Sequence, residues 1–251
     1  MPKEAYEIII IDDGSGDDLQ FMNSKLASEK FSMNIVLIHE PNNGRAYARN
    51  RGIDQANAET IIFCDGDRIP DCDFVEQHLN CHNNVNNIVV GASYDFFGYK
   101  DVSNNFIEWE KVYKFSRLPN YFKKISKIYS DGITKSNLAW LSFLVGNSSV
   151  SKKILKQVGG FNESFTEWGF EHFEIALRIQ KNFKQEFTLN LNAKNYHLPH
   201  PRKENFYLEM IQKSVRLLSD IHPEVNAEAL EEIVSKNVDV LQYEDFIFIP
   251  R

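Results

Sequence analysis

Cysteine is scarce in this chain, and the three copies, Cys64, Cys72 and Cys81, are too few and of the wrong number for a disulfide framework. This usage indicates a reducing compartment. No apolar run approaches the length that spans a membrane, and residues 1–4 do not begin a signal peptide. These absences predict a cytoplasmic protein, and peripheral contact with the inner face of the membrane stays open because enzymes acting on lipid-linked substrates need not span it.

A surplus of basic residues is also missing. The formal net charge is −7, so no nucleic-acid partner is expected. The 12 glycines and 8 prolines are dispersed, without a low-complexity segment or an internal repeat. The 251 residues, of which 43% are hydrophobic and 25% charged, fit one large α/β domain or one domain with an elaborated second half.

Apolar runs and turn residues alternate along the first part of the chain. Strands are predicted at 6–11, 35–38, 60–64, 87–94, 141–145 and 187–191. Helices are predicted at 17–30, 43–57, from Pro70 onwards, and at 151–158, 170–182 and 204–218. This alternation predicts an α/β fold with a mostly parallel, mixed sheet covered by helices.

Two carboxylates follow directly after the predicted strand at 60–64. In extended backbone, residues two apart point to the same side, so Asp65 and Asp67 are expected to converge at the carboxyl end of the strand. Gly66 keeps the space between them open for a ligand. Such a pair suits a hard divalent cation, and the cation suits a diphosphate. The alternative is a solvated loop or a helix cap ahead of Pro70.

The segment 95–135 interrupts the pattern and is rich in aromatic residues and lysine. Long irregular insertions of this kind are typical of lids over an active site. Basic residues interleaved with aromatic ones also suit a lipid surface or a partner protein. Filling of the core is the third interpretation, and it is the default for most of these side chains.

Short motifs occur in a fixed order between residues 7 and 201. They are 7–15 (EIIIIDDGS), 43–44 (NG), 48–50 (ARN), 65–67 (DGD), 146–147 (GN), 159–163 (GGFNE), 168–174 (WGFEHFE) and 196–201 (YHLPHP). In this order and spacing the chain resembles the GT-A glycosyltransferases of family 2. Its second half is most similar to the branch with chondroitin-polymerase-like and polypeptide N-acetylgalactosaminyltransferase-like domains.

The resemblance implies a GT-A (Rossmann-like) fold and a nucleotide-diphosphate donor, with a UDP-sugar expected. It assigns Asp67 of the DxD motif to a Mn²⁺ or Mg²⁺ ion, with Asp65 on the ribose or on the metal through water. His197, ahead of His200, is the implied third metal ligand. Residues 1–95 would form the donor-binding half, and residues 96–251 the acceptor-binding half of the same domain.

Further residues receive roles from the same resemblance. Asp12 or, more in line with the family, Asp13 would contact the base or ribose, although both also suit capping of the next helix. Asn147 would contact the donor sugar or the acceptor, and Trp168 would stack on a sugar. Arg45 and Arg49 lie on a helix that is largely structural in the family and are assigned to the scaffold.

The acceptor side requires a group that takes a proton if the anomeric centre is inverted. Glu171 and His172 are the candidates; imidazole has a suitable unperturbed pKa, whereas a glutamate would need burial to raise its own. Inverting relatives carry aspartate at the position of His172. A retaining enzyme needs no base there, so the stereochemical outcome stays open.

A second departure from the family lies at the amino terminus. The family's fold begins with a strand that precedes the one at 6–11, and its closing turn helps to hold the base of the nucleotide. The sequence therefore predicts a metal-dependent transferase that moves a hexosyl or N-acetylhexosaminyl group to a carbohydrate or lipid-linked acceptor. An inactive relative that binds a glycan or a partner is the main alternative. A nucleotidyltransferase is the second, and the glycine-rich basic loop typical of that class is not seen.

Overall fold

The structure is a computed structural model that describes residues 6–16, 24, 33–82, 88–98, 108–166, 168–183, 186–200 and 205–249. The strands are β1 (Glu7–Asp13), β2 (Asn34–Glu40), β3 (Thr60–Phe63), β4 (Arg68–Pro70), β5 (Ile88–Phe96), β6 (Ser116–Arg117), β7 (Ile133–Thr134), β8 (Ser148–Ser151) and β9 (Phe187–His197). The helices are α1 (Arg45–Gln55), α2 (Phe74–Leu79), α3 (Trp109–Phe115), α4 (Asn120–Ile125), α5 (Lys152–Gln157), α6 (Glu171–Phe183), α7 (Phe206–Ile221) and α8 (Ala227–Ser235). Short 3₁₀ turns lie at Ser126–Ile128, Ala139–Ser142 and Val240–Tyr243.

The described strands form two sheets. β1 and β2 pair in parallel, with Glu7 opposite Asn34 and Asp13 opposite Glu40. The larger sheet has the order β3-β8-β5-β9-β4, with β6 on β5 and β7 on β9. Within it β5 and β9 are parallel and the other pairs are antiparallel. The predicted mixed α/β architecture is confirmed, but β8 enters antiparallel between β3 and β5, so the ladders are less parallel than the strand–helix alternation suggests.

The predicted strand at 141–145 is wrong. Leu141 lies in the 3₁₀ turn Ala139–Ser142, and Phe143 and Val145 follow in irregular backbone, all of them buried. Their hydrophobicity reflects a place in the core, not extended backbone. The strand forms a few residues later, in the serine-rich β8, whose hydroxyl groups find partners inside the protein.

The helix predicted from Pro70 begins later, at Phe74. Pro70 ends the short strand β4, where it pairs with Asn195 at the end of the sheet. Proline is tolerated at such an edge because no outer neighbour needs its missing N–H. The helix predicted at 17–30 lies outside the described residues, apart from position 24. The other predicted strands and helices are found with shifts of their ends.

Strands from both halves of the chain share the larger sheet, so the site is built where they meet. The core below it includes Trp140, Phe143 and Phe187, with Leu177 and Ile175 from α6. Helices α7 and α8 pack on this core through Leu218 and Leu230. No helix in the described ranges is long and apolar enough to cross a membrane.

Candidate active site

The ends of four strands bring the acidic motif and the late histidine together. His197, the last residue of β9, lies opposite Arg68 of β4 and opposite Asp95 of β5. The loop after β3 carries Asp65 and Asp67 to the same edge, where the backbone N–H of Leu198 donates to the carbonyl of Asp67. The predicted meeting of the motif with the histidine loop therefore occurs at a sheet edge.

Three side chains converge as a candidate metal centre. The ligand atoms of Asp67, His197 and His200 lie within 4.8 Å of one another. Asp67 Oδ2 is 3.3 Å from His197 Nε2 and 3.4 Å from His200 Nε2. The structure thus places both histidines of the 196–201 motif beside Asp67, including His200, which ranked second in the sequence analysis.

Asp95 holds the ring of His197 in place. His197 Nδ1 lies 3.1 Å from Asp95 Oδ1, which leaves Nε2 directed at Asp67. A carboxylate behind a histidine in this way fixes the ring and raises its basicity as a ligand. Hydrogen bonds to Asp67 and Asp95 raise the pKa of His197 to about 9. Burial opposes ionisation of Asp67, but His197, Arg68 and His200 outweigh it and lower the pKa to about 2.

Asp65 lies beside the three ligands but faces two arginines. Its Oδ1 accepts from Arg49 at 3.0 Å, and its Oδ2 lies 3.7 Å from Arg68 Nε. It is not part of the group formed by Asp67 and the two histidines. Direct ligation by Asp65, one of the two roles expected of it, would require these arginine contacts to change.

Arg49 links the donor and acceptor sides of the site. Besides Asp65, its guanidinium donates to Glu171 Oε1 at 2.6 Å, across 122 positions of the chain. This contact corrects the assignment of Arg49 to the scaffold. A sequence pattern does not show it, because the partner lies on a helix far along the chain.

Glu171 is 1% exposed at the start of α6. Burial alone would raise the pKa of this carboxyl group, but contact with His172 and the charge of Arg49 lower it well below its usual range. His172 Nδ1 is 3.5 Å from Glu171 Oε1 and has no hydrogen-bond partner among the described residues. Of the two candidates for a proton acceptor, Glu171 is held as an ion and His172 retains a free ring nitrogen.

Arg68 is a further residue that sequence reasoning missed. Its side chain lies across Gly146, where an added Cβ would be only 2.2 Å from Arg68 Nε. The Nε and Nη1 groups of Arg68 are buried and find no hydrogen-bond partner in the described part of the chain. The glycine of the 146–147 motif thus makes room for a guanidinium with unused donors beside Asp67.

These groups line one cleft of about 600 Å³. Trp168 lies on its wall in contact with the rings of Phe206 and Tyr207. This position suits the expected stacking on a sugar, since aromatic faces are apolar and exposed here. The cleft therefore contains carboxylates, arginines, histidines and an aromatic wall.

Asn147 lies outside this cleft. It is fully buried; its Oδ1 is 2.8 Å from His78 Nε2, and its Nδ2 donates to the carbonyl of Ala193. Its amide is used in holding β8, β9 and α2 together, so the expected contact with donor or acceptor is not supported by its position.

Asp13 holds the start of helix α1. Its two oxygens accept from the backbone N–H groups of Asn43 and Gly44, at 2.8 and 3.0 Å. Asp12 accepts from Ser15 and lies 3.4 Å from His39 Nδ1. The local capping role considered for both aspartates is thus present, and the role on the nucleotide stays a prediction.

The donor set fits a divalent cation. Asp67 Oδ1 is a buried polar atom without a hydrogen-bond partner in the described ranges, although its neighbours are cationic. An orphaned carboxylate oxygen of this kind is costly unless a ligand satisfies it. One carboxylate with two imidazoles favours Mn²⁺ over Mg²⁺, which prefers oxygen ligands.

Two family models match the chain in succession. The model described as glycosyl transferase family 2 matches residues 2–135, and that described as the N-terminal domain of galactosyltransferase matches residues 133–201. Among curated relatives, the uncharacterized glycosyltransferase YfnE of Bacillus subtilis is 26% identical over 79% of this chain and 58% of its own length. Chondroitin synthase of Escherichia coli is 25% identical over 80% of this chain and 31% of its own.

A mammalian relative and a solved structure extend these matches. Polypeptide N-acetylgalactosaminyltransferase 3 of Mus musculus is 27% identical over 69% of this chain and 28% of its own length. The crystal structure of GalNAc-T7 with UDP, GalNAc and Mn²⁺ covers 96% of this chain and 47% of that chain, with a TM-score of 0.59 and 13% identity. The chain therefore spans about half or less of the proteins that it matches. The first family model covers more than half of the 251 residues, so the chain belongs to glycosyl transferase family 2 and has the GT-A fold.

Proposed function

We propose that this protein is a metal-dependent glycosyltransferase whose donor is a nucleotide-diphosphate sugar, with a UDP-sugar as the first choice. The observation that carries the proposal is the convergence of Asp67, His197 and His200 at a sheet edge, with an unsatisfied oxygen of Asp67 among them. The related GalNAc-T7 was crystallised with UDP, GalNAc and Mn²⁺. A similar donor and cation are proposed for this chain on the strength of its own residues.

Asp67, His197 and His200 would hold the Mn²⁺ or Mg²⁺. When bound, such a cation neutralises charge on a diphosphate as it leaves. Arg68 offers two unused donors beside the ligands, and Arg49 lies on the other side of Asp65. These guanidinium groups suit phosphate oxygens, which planar N–H pairs bind well.

The acceptor side is assigned to the start of α6. Glu171 keeps Arg49 oriented, and His172 receives the proton of the acceptor hydroxyl if the reaction inverts the anomeric centre. Trp168 would stack on a sugar ring of the donor or the acceptor. Residues 1–95 serve the donor and 96–251 the acceptor, which we take to be a carbohydrate or a lipid-linked glycan in polysaccharide synthesis.

A thermal-shift panel of nucleotides tests this function. UDP should raise the melting temperature in the presence of Mn²⁺ and have little effect with a chelator. Asp67→Ala should lose this response, whereas Asp73→Ala, in a second acidic group that lies outside the cleft, should retain it. Absence of a shift with every nucleotide would favour an inactive protein that binds a glycan or a partner.

A further inference from the structure

Two neighbouring strands present open edges. Within the described residues, β1 forms a ladder with β2 alone, and β3 is the end strand of the larger sheet, paired on one side with β8. The second edge of each strand therefore carries backbone N–H and C=O groups without a ladder. Such edges are templates for another strand.

The two open edges lie side by side and run in the same direction. At the start of β1, the carboxylate of Glu7 accepts from the backbone N–H groups of Asn57 and Ala58, which directly precede β3. At the other ends, Asp13 of β1 and Asp65 after β3 line the same cleft. Beginning thus lies beside beginning, and end beside end.

The gap between them is an apolar cleft of about 360 Å³, here called the strand slot. Its side walls are Ile9 and Ile11 of β1 and Thr60–Phe63 of β3. None of the isoleucines Ile8 to Ile11 is buried, although four in a row are typical of a strand covered on both sides. Apolar strand residues are thus left half-exposed at the slot.

Helix α1 forms the floor of the strand slot with small side chains. Ala48, Gly52 and Ala56 line it. A Cβ added at Gly52 would meet Ile11 Cγ1 at 3.6 Å, an ordinary contact, so crowding by the described residues does not require glycine there. Glycine weakens the interior of a helix, and its presence leaves depth for a further chain.

The geometry points to an extended apolar peptide segment, supplied by a different polypeptide, that inserts into the strand slot parallel to β1 and β3 and hydrogen-bonds to both. A segment of about seven residues matches Glu7–Asp13 in length. A second copy of this chain is a poorer source, because every strand in its described part is already paired in a sheet. Insertion joins the two sheets into one and buries the half-exposed isoleucines.

The strand slot opens into the candidate active site. Arg45, Arg49 and Asp65 line both the slot and the cleft that contains Asp67. The carboxyl end of an inserted strand would therefore stop beside the groups assigned to the nucleotide. Resting on the proposed function, this placement predicts that insertion and nucleotide binding strengthen each other, as linkage requires.

Binding of a designed peptide tests insertion without any nucleotide. The probe is a capped eight-residue peptide that begins with lysine, continues with alternating valine and alanine, and ends with asparagine. We expect saturable one-to-one binding in fluorescence anisotropy. Hydrogen exchange should slow at the amides of both Ile9–Ile11 and Ile61–Phe63. Exchange at both edges that is already slow without peptide, and unchanged by it, would overturn the proposal.

Single N-methylation of the probe separates insertion from simple edge addition. Successive residues of a central strand direct their N–H groups to opposite neighbours. Methylating either of the two central amides should therefore weaken binding at least tenfold. If one of the two methylated peptides binds as well as the parent, the peptide pairs with a single edge and insertion is wrong.

A blocked slot provides the matched protein variant. Gly52→Leu places a side chain in the strand slot and should weaken peptide binding at least tenfold. Gln55→Leu adds the same side chain to the exposed face of the same helix and should leave binding unchanged. Equal binding by both folded variants would contradict the assignment of the site.

The nucleotide arm keeps the two proposals apart. With saturating peptide, the affinity for UDP and Mn²⁺ should rise at least fivefold in the wild-type protein and remain unchanged in Gly52→Leu. Peptide binding with exchange protection but without any UDP binding would support insertion and reject the proposed function. UDP binding that is tight and indifferent to the peptide would reject the coupling.

Discussion

At the scale of single residues, the site depends on cations that each serve more than one carboxylate. Arg49 contacts both Asp65 and Glu171, and His197 contacts both Asp67 and Asp95. Glu171 is almost fully buried, so its charge depends on Arg49 for compensation. Removing one partner of such a pair leaves an isolated charge in a place that water does not reach.

Glu171→Ala is therefore expected to lower the free energy of unfolding by about 3 kcal/mol, the range typical of a broken buried pair. Asp54→Ala removes the partner of Lys156 in an exposed ion pair and should cost less than about 1 kcal/mol. Urea unfolding of both variants measures the difference. Equal losses would show that Arg49 finds compensation elsewhere.

Gly146→Ala is expected to act through Arg68. The new Cβ would overlap Arg68 Nε, so the guanidinium must leave its place beside Asp67. The KM for the nucleotide-sugar donor should rise about tenfold to a hundredfold, the worth of hydrogen bonds to a charged group. Arg68→Ala should give a similar rise.

The double variant Gly146→Ala/Arg68→Ala provides the control for this effect. It should be no worse than Arg68→Ala alone, because both changes remove the same guanidinium contact. Additive losses in the double-mutant cycle would mean that Gly146 serves the site by some other route.

At the scale of elements, helix α2 is held to β8 and β9 by a buried polar chain. His78 lies 2.8 Å from both Ser149 Oγ and Asn147 Oδ1, and His82 reaches the same serine. Burial lowers the pKa of His78 to about 4, and burial also lowers that of His82. Both rings are therefore neutral in the folded protein at pH 7.

A loss of stability in weak acid follows from these histidines. The folded-state pKa of His78 lies below its value of 6.5 in the unfolded chain, so the unfolded state takes up the proton first. Stability is full above pH 6.5 and falls towards pH 4, by up to about 3 kcal/mol for a shift of this size. His78→Gln should flatten the fall between pH 6.5 and 4.5 in chemical denaturation. His39→Gln, at an exposed ring, should not, and an unchanged slope in His78→Gln would contradict the assignment.

Apolar patterning predicts the elements whose backbone pairs through hydrophobic residues, and it fails where polar residues form the ladder. β1, β2, β3 and β5 follow from their isoleucine and valine runs. β8 does not, because its serines are buried by hydrogen bonds that local sequence cannot show. Phe143 and its neighbours are apolar because they fill the core, not because they extend.

The site shows the same division between local and distant information. Asp67 and His197 are recognisable from motifs because the family keeps them in order. The roles of Arg49 and Arg68 depend on contacts with Glu171 and with the backbone of Gly146, which are distant in sequence. Asn147 illustrates the converse, since a motif residue is used to join the sheet.

At the scale of the whole molecule, a chain of net charge −7 gathers arginines and histidines at one cleft. An anionic donor would meet repulsion from the overall charge and attraction only close to this site. The cation would supply the remaining compensation. Metal and nucleotide are therefore expected to bind together more strongly than either binds alone.

Counting bound Mn²⁺ by electron paramagnetic resonance, with and without UDP, tests this account most directly. One Mn²⁺ per chain is predicted in the presence of UDP, with much weaker binding in its absence. Asp67→Asn should abolish this binding, and His197→Ala and His200→Ala should each weaken it at least tenfold. Unchanged Mn²⁺ binding in Asp67→Asn, or no Mn²⁺ retained with any nucleotide, would contradict the proposed metal centre.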